Sequence, residues 1–555
     1  MNNQISILAA AKEYEKAADL ISELKTEDAA ALLSDFSRTD LIRICHYIDS
    51  DILADILTYL DGDKQKFVLD GLREEKLDDV MDDVSVEDTV DMMEKLPANV
   101  AGRLADAEVI EEFIAEKKFP KLKAILTEMN EVDIAEILDE LGIDDCIVVF
   151  RLLPKDAAAE TFVELSPDIQ SKLIGKFTDT EIKGMMDELF IDDMADLIEE
   201  MPANVVKRLL AQSDRETRGF LNEILRYPKD STGSIMTVEF VTLSPEMTVR
   251  EAFDKIRRTA IDKETIYTCY VTDKTRRLIG AVTAKDLLLS EPDAKIADIM
   301  EENLVYAHTL DDRELSARKL SNYGLLAVPV VDDEKRLVGI VTVDDAIEVL
   351  QEENTEDIAK MAATTPSDKP YLKTSTWAVF KNRIPWLLLL MVSATFTGLI
   401  INTYEAKLNA ISTVLFACVP MLMDTGGNAG AQASVTVIRA LAIGEVRTRD
   451  VFKVVRKELR VSLLAALVLG LACMAKLMLI DNLLFGYKDY TLSRCSVISA
   501  SLALTVIMAK LVGCTLPLIA KKCRLDPAVV ASPFITTIVD ALSLMVYCTL
   551  AIAVL

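Results

Sequence analysis

The chain is 555 residues long, room for three or four domains, and carries a formal net charge of −29. That charge is lopsided: residues 1–375 hold 44 basic and 81 acidic side chains, net −37, whereas residues 376–555 hold 17 and 9, net +8. So acidic a part repels nucleic acid and anionic lipid and attracts metal cations; nine cysteines without a C-x-x-C spacing exclude a disulfide frame or zinc site, and two histidines (His46, His308) leave a hard cation held by oxygen as the better fit.

The N-terminus is polar and shows no signal peptide. Residues 1–225 read as short amphipathic helices broken by Asp, Pro and Gly, and they contain a repeat. Val90-Asp91-Met92-Met93-Glu94-Lys95-Leu96-Pro97-Ala98-Asn99-Val100 recurs 105 residues later as Ala195-Asp196-Leu197-Ile198-Glu199-Glu200-Met201-Pro202-Ala203-Asn204-Val205. Such a period predicts two stacked copies of one helical unit. Each copy has an acidic knot before the match, Glu87-Asp88 with Asp91 and Asp192-Asp193 with Asp196. Asp192 and Asp196 lie one turn apart on a helix, although acids at a helix N-terminus are also ordinary dipole partners.

From Tyr227-Pro228 onward, short β-rich runs alternate with helices, and a second repeat begins. Arg277-Leu278-Ile279-Gly280-Ala281-Val282-Thr283-Ala284-Lys285-Asp286 returns as Arg336-Leu337-Val338-Gly339-Ile340-Val341-Thr342-Val343-Asp344-Asp345, and Ser234-Ile235-Met236-Thr237 is echoed by Asp298-Ile299-Met300. Two such units over 232–352 resemble a tandem CBS pair, a ligand-sensing module. The resemblance makes the T-x-x-D aspartates Asp286 and Asp345 candidates for the ribose of an adenine nucleotide; capping of the next helix is the structural alternative. The acidic cluster Glu352-Glu353-Asn354-Thr355-Glu356-Asp357 then opens a helix-capable linker broken at Pro366 and Pro370.

Five apolar segments follow: Ile384–Thr403, Ile411–Ile443, Val461–Ile480, Val497–Ala520 and Ala528–Leu555. All but the second have plain spanning length. The second is interrupted by Pro420 and by Asp424-Thr425-Gly426-Gly427-Asn428-Ala429-Gly430-Ala431-Gln432. Small residues for helix packing would explain the glycines but not Asp424 and Asn428, so a pore lining is expected. The last segment carries Ser532, Thr536 and Asp540 on one helix face, with Thr537 and Ser543 beside them. A carboxylate that deep is costly unless it faces protein or water, which marks Asp540 as an acidic cation site; a pair with Lys510 is the structural alternative. Lys476 and Lys510 otherwise read as snorkelling or internally paired. Arg447, Arg449, Lys453, Arg456, Lys457, Arg460, Lys521, Lys522 and Arg524 crowd two loops, which orients the N-terminal region to the cytoplasm and Leu555 outside.

An acidic helical N domain, a CBS pair, a linker and five spans resemble the MgtE magnesium channels and transporters of bacteria. The signature stretches are Pro420–Glu445 (PMLMDTGGNAGAQASVTVIRALAIGE) and Asp526–Tyr547 (DPAVVASPFITTIVDALSLMVY). The resemblance implies a multidomain protein: an all-α helical-repeat N domain (1–226), an α/β tandem CBS pair (227–352), a linker or plug helix (353–376) and an all-α polytopic membrane domain with five transmembrane helices (377–555). It implies a homodimer in the bacterial plasma (inner) membrane, with lipid as its surroundings and the pore between subunits. Asp540 would hold hydrated Mg2+, and Asp526 would lie near the inner pore mouth. Regulatory Mg2+ ligands would be Asp192, Asp196, Glu314, Asp345, Glu348, Glu353, Glu356 and Asp357, with ATP as a further ligand of the CBS pair. Gly324 stands near where relatives often carry an acid, which weakens one CBS site. Function is then Mg2+ uptake closed by cytoplasmic Mg2+, with Co2+ or Mn2+ transport, or a CBS-regulated anion channel, as alternatives. An enzyme is not expected, because no phosphate-cradling, nucleophile-elbow or H-E-x-x-H motif is present.

Overall fold

The computed structural model describes residues 2–260, 263–367, 371–372, 374–529 and 532–555. Pro370 and the side chain of Ser532, both named above, lie outside the described residues. The chain forms two compact units, Met1–Ala346 and Ile347–Leu555.

The first unit starts as a stack of short helices, most of them 8–10 residues long. Several are opened by a side-chain cap, such as Ser37, Asp61, Ser85, Asp106 and Thr178, each accepting an orphan N–H of the first turn. Apolar residues at i, i+3, i+4 and i+7 then turn one face inward: Ile191, Met194, Ala195, Leu197 and Ile198 are all buried in the helix Ile191–Glu200. The 105-residue period covers whole copies and not only the matched stretch. Asn2–Ala10 maps onto Ala107–Ala115, Gly62–Gly71 onto Pro167–Lys176, and Val86–Lys95 onto Ile191–Glu200. Even a buried amide repeats. Gln65 Nε2 donates to Leu57 O and Gln170 Nε2 to Phe162 O, each at 2.9 Å. One continuous apolar core runs from Ile5 to Ile224, so the second copy lengthens the first.

The β-rich region holds two matching three-stranded sheets. Strands β1 (Phe240–Leu243) and β2 (Thr265–Thr272) run parallel, and β3 (Leu278–Thr283) is antiparallel to β2. Strands β4 (Ala307–His308), β5 (Ala327–Val331) and β6 (Leu337–Thr342) repeat that order. The two sheets exchange edges: Thr237 pairs with Ile340 of β6, and Glu301 pairs with Ala281 of β3. This exchange explains the repeated motifs. A Cβ on Gly339 would lie 2.7 Å from Met236 Sδ, and one on Gly280 would lie 2.6 Å from Met300 Sδ, so each I-M segment needs the other copy's glycine.

In the second unit, residues from Ile347 onward continue helix α1 (Val343–Met361). It is followed by α2 (Thr376–Ile411), α3 (Val419–Ala442), α4 (Val451–Ala475, prolonged by a π-helical stretch Lys476–Leu484), α5 (Leu492–Lys522) and α6 (Ser532–Val554). Among the described residues, four stretches are long and apolar enough to cross a membrane: Thr376–Ile411, Thr448–Leu484, Leu492–Lys522 and Phe534–Val554. The expected count of five is therefore not met on length and apolarity alone, because the polar, glycine-rich middle of α3 lowers its hydropathy. The expected interruption of that segment is absent. Helix α3 is continuous, with Pro420 in its first turn, where a missing N–H costs nothing.

The glycines of α3 serve close helix crossings instead. A Cβ on Gly513 of α5 would lie 2.2 Å from Gly430 O, and one on Gly430 would lie 3.1 Å from Val539 Cγ2 and 3.2 Å from Ala509 O. Backbone cannot retreat as a flexible side chain can. Gly513→Ala is therefore expected to remove most folded protein, read as loss of the monodisperse peak in detergent. Gly398→Ala, where a Cβ meets nothing within 4 Å, should leave that peak intact.

Candidate functional site

Two groups of carboxylates stand out, one in each unit. In the membrane unit, α6 lays its hydroxyl and carboxylate face across the glycines of α3. A Cβ at Gly427 would sit 3.4 Å from Thr536 Cγ2 and 3.6 Å from Asp540 Oδ1, and one at Gly426 would sit 2.8 Å from Ser543 Oγ. Asp424 is the charged neighbour of Asp540. Asp424 and Asn428 are exposed, while Thr536, Thr537 and Asp540 are half-buried, so these polar faces open to the outside of the single-chain bundle. Among the described residues Asp540 has no ion-pair partner within 4 Å, and Lys510, although buried, does not reach it. Lys476 instead bonds Asp481 at 2.7 Å within the π-helical stretch.

At the start of the α6 segment, Asp526 accepts the Ala528 N–H at 2.8 Å through Oδ1 and takes the Lys360 ammonium at 2.7 Å through Oδ2. Lys360 also pairs with Glu356 at 2.7 Å, one turn back on α1.

In the first unit, Asp192 is buried beneath a group of acids. The helix Ile191–Glu200 lacks the cap its first-copy counterpart has, because Phe190 stands where Ser85 would be. The cap comes from the first β-rich copy: Glu239 Oε2 accepts the Ile191 N–H at 3.0 Å and the Thr237 hydroxyl at 3.1 Å. Burial, then the fields of Asp345, Asp193, Glu264 and Glu239, drives the Asp192 carboxyl well above the usual carboxylate range. Burial, with Asp345 and Glu239 nearby, raises Asp193 to about 7. Glu264 is pushed to about 8 by burial and by Asp193, Asp344, Asp345 and Glu239. Asp345 is raised by burial too, although it accepts the Thr342 hydroxyl at 2.6 Å. So many acids held close with raised pKa values make a place that a cation would relieve. Among the described residues, no three His, Cys, Asp or Glu groups stand close enough to share one bare metal ion. A polar cavity of about 150 Å³ lies beside Glu239, lined also by Asp187, Ser213 and Asp214.

The other expected ligands lie on their own elements. Asp196, one turn on from Asp192 along the same helix, is exposed, and Asp193 stands within the field of Asp192. Glu314 pairs with Arg318 one turn along its helix. Glu348, Glu353 and Asp357 lie with Glu356 on α1. Asp286 closes a capping box, accepting the Thr283 hydroxyl at 2.6 Å. Gly324 has φ +61 at the end of helix Arg313–Tyr323, a left-handed position where an acidic side chain would be strained. Glu239, Glu264 and Asp344 were not singled out from sequence; the one local signal was the missing serine or threonine cap at Phe190.

Family models match over most of the chain: the MgtE intracellular N domain at residues 24–112 and 129–230, CBS domains at 233–292 and 296–352, and a divalent cation transporter model, MgtE, at 419–550. The chain is 36% identical over 446 residues to the magnesium transporter MgtE of Thermus thermophilus, covering 80% of this chain and 97% of that protein. It is 30% identical over 441 residues to the magnesium transporter MgtE of Bacillus subtilis, covering 79% and 94%. A crystal structure of the cytosolic domain of the Mg2+ channel MgtE in complex with ATP aligns at 37% identity with a TM-score of 0.42, covering 44% of this chain and 99% of that one.

Proposed function

The chain belongs to the MgtE family of magnesium transporters, and on that premise we propose that Mg2+ passes along the polar seam of α3 and α6, held at Asp540. It is a membrane-embedded Mg2+ channel or transporter and not an enzyme. The observation that carries the seam is Asp540 lying against Gly427 with Asp424 as its neighbour and, among the described residues, no lysine or arginine paired with it. Two neighbouring carboxylates attract a divalent ion, and Mg2+ sheds its water reluctantly and binds through one or two of them. Because the seam faces outward from a single chain, a homodimer would enclose it, with Asn428, Thr536 and Thr537 lining the path. A fifth span is then α3 itself: its 24 residues, at 1.5 Å rise, reach about 36 Å, and an enclosed seam removes the cost of its polar middle. This topology puts the N-terminal region in the cytoplasm of a bacterial inner membrane.

The domain limits of this reading are 1–226, 227–352, 353–376 and 377–555, with the third domain starting inside the continuous helix Val343–Met361. The acids around Asp192 act as the sensor. Without divalent cation they repel one another; with Mg2+ they are drawn together, and Glu348, Glu353, Glu356 and Asp357 on α1 carry that state towards the pore. A ligand shifts such a balance only by its preference for one state, so several ions acting together give a steep response. ATP at the CBS pair is a second ligand, with Asp286 and Asp345 as its ribose partners; Asp286→Ala should weaken binding of a fluorescent ATP analogue.

The reading is tested in proteoliposomes with graded Mg2+ on the face that bears the soluble region. Uptake should fall about tenfold or more between micromolar and millimolar Mg2+, and protease cleavage of the soluble region should slow over the same range. Cleavage and uptake that ignore Mg2+ would remove the sensor from this reading.

A further inference from the structure

Lys360 stands where the connecting helix meets the segment leading into α6. Its ammonium lies 2.7 Å from Asp526 Oδ2 and 2.7 Å from Glu356 Oε1. Asp526 is 166 residues away in sequence, so the contact depends wholly on tertiary structure. Each partner is fixed from behind. The Asp526 carboxylate is oriented by the Ala528 N–H, and Glu356 is one helical turn from Lys360. The helix stops just after Lys360: Ala363 takes a left-handed φ of 51°, Thr364 N–H bonds Ala359 O at 2.9 Å, and Ala363 N–H bonds Lys360 O at 3.0 Å. This is a Schellman stop. Thr365 N–H then bonds Asn382 O of α2 at 3.1 Å, so the chain is tied down on both sides of the turn. A cation in the last turn also suits the helix dipole. The Lys360 side chain is 23% exposed, which shields the pairs more than an open surface would.

We propose that Lys360 is a tethered cation that latches the connecting helix to Asp526, holding by a protein charge a contact that would otherwise need a dissolved divalent ion. The proposal rests on the reading of a Mg2+-regulated pore given above. One ammonium against two carboxylates leaves one negative charge over. The latch therefore holds the helix without saturating the site, and Mg2+ strengthens a contact that already exists. Lys360 sets the resting level of the gate, while Mg2+ sets the closed level.

The test uses the full-length protein. Zero-length carbodiimide coupling, followed by protease digestion and mass spectrometry, should join Lys360 to Asp526 or Glu356 in Mg2+-free wild type. In proteoliposomes, Lys360→Met should raise uptake at micromolar Mg2+ about three- to fivefold and leave closure at millimolar Mg2+ in place. Lys360→Arg, which keeps the charge, should restore the wild-type resting level. Absence of the coupled peptide in a wild type that Mg2+ does regulate overturns the latch alone, as does unchanged or lower resting uptake in Lys360→Met. A wild type indifferent to Mg2+ overturns the regulatory reading beneath it, and the latch's role in gating falls with it.

Discussion

Asp540→Asn is expected to abolish Mg2+ uptake, a fall of about 100-fold or more at matched protein density, while the protein still elutes as a folded species. Asparagine has nearly the same shape as aspartate, so the packing of α6 on Gly427 and the neighbouring glycines is kept. Only the charge goes. Asp540 has no ion pair within 4 Å among the described residues, so its neutralisation orphans no buried lysine; in a structural Asp540–Lys510 pair it would. The variant should therefore be at least as stable as wild type, since it relieves the repulsion with Asp424. The decisive readout is flux beside thermal stability. Lost flux with kept stability places Asp540 in the ion path. Undiminished flux demotes it, and Asp424 with Asn428 becomes the place to look.

Next in expected size is the response of the buried acids around Asp192. Asp193 at about 7 and Glu264 at about 8 both hold their protons more tightly folded than unfolded, where a carboxyl titrates near 4. A raised folded pKa gives stability that is fully present below the unfolded value and lost as pH rises through the folded one. The Mg2+-free full chain in detergent should therefore melt at falling temperature from about pH 5 to about pH 9, by about 5 °C in all. Millimolar Mg2+ should flatten that slope, because the cation replaces the protons. The double variant Asp193→Asn, Glu264→Gln should show a shallower slope without Mg2+, since Asp192 and Asp345 remain, and should keep taking up Mg2+ at concentrations that close wild type. A slope unchanged in the double variant would move the titration elsewhere in the molecule.

Much of this architecture was legible because it is written in local periods. The 105-residue repeat could be read from the match at Val90–Val100 and the tandem β-rich units from G-x-V-T-x-x-D, and Asp540 stood out as one carboxylate on an apolar helix. Each is a pattern of neighbours along the chain, and spacing alone implies a helix face, a capped strand-to-helix turn or a costly buried charge. The glycine-rich stretch of α3 was legible as unusual but not as continuous. Glycine in a helix is destabilising by itself, and only the α5 backbone and the α6 side chains packed against it compensate.

The acids that join Asp192, and the lysine that meets Asp526, could not be found that way. Glu239 and Glu264 come from the sheet region to a helix that starts at Ile191, and Lys360 reaches across 166 residues. Burial and electrostatic repulsion act through space and not along the sequence. By itself, the sequence determined the elements, their repeats and the charge of each part; only the tertiary structure decided which charges share one place, because that depends on which faces the apolar cores bring together.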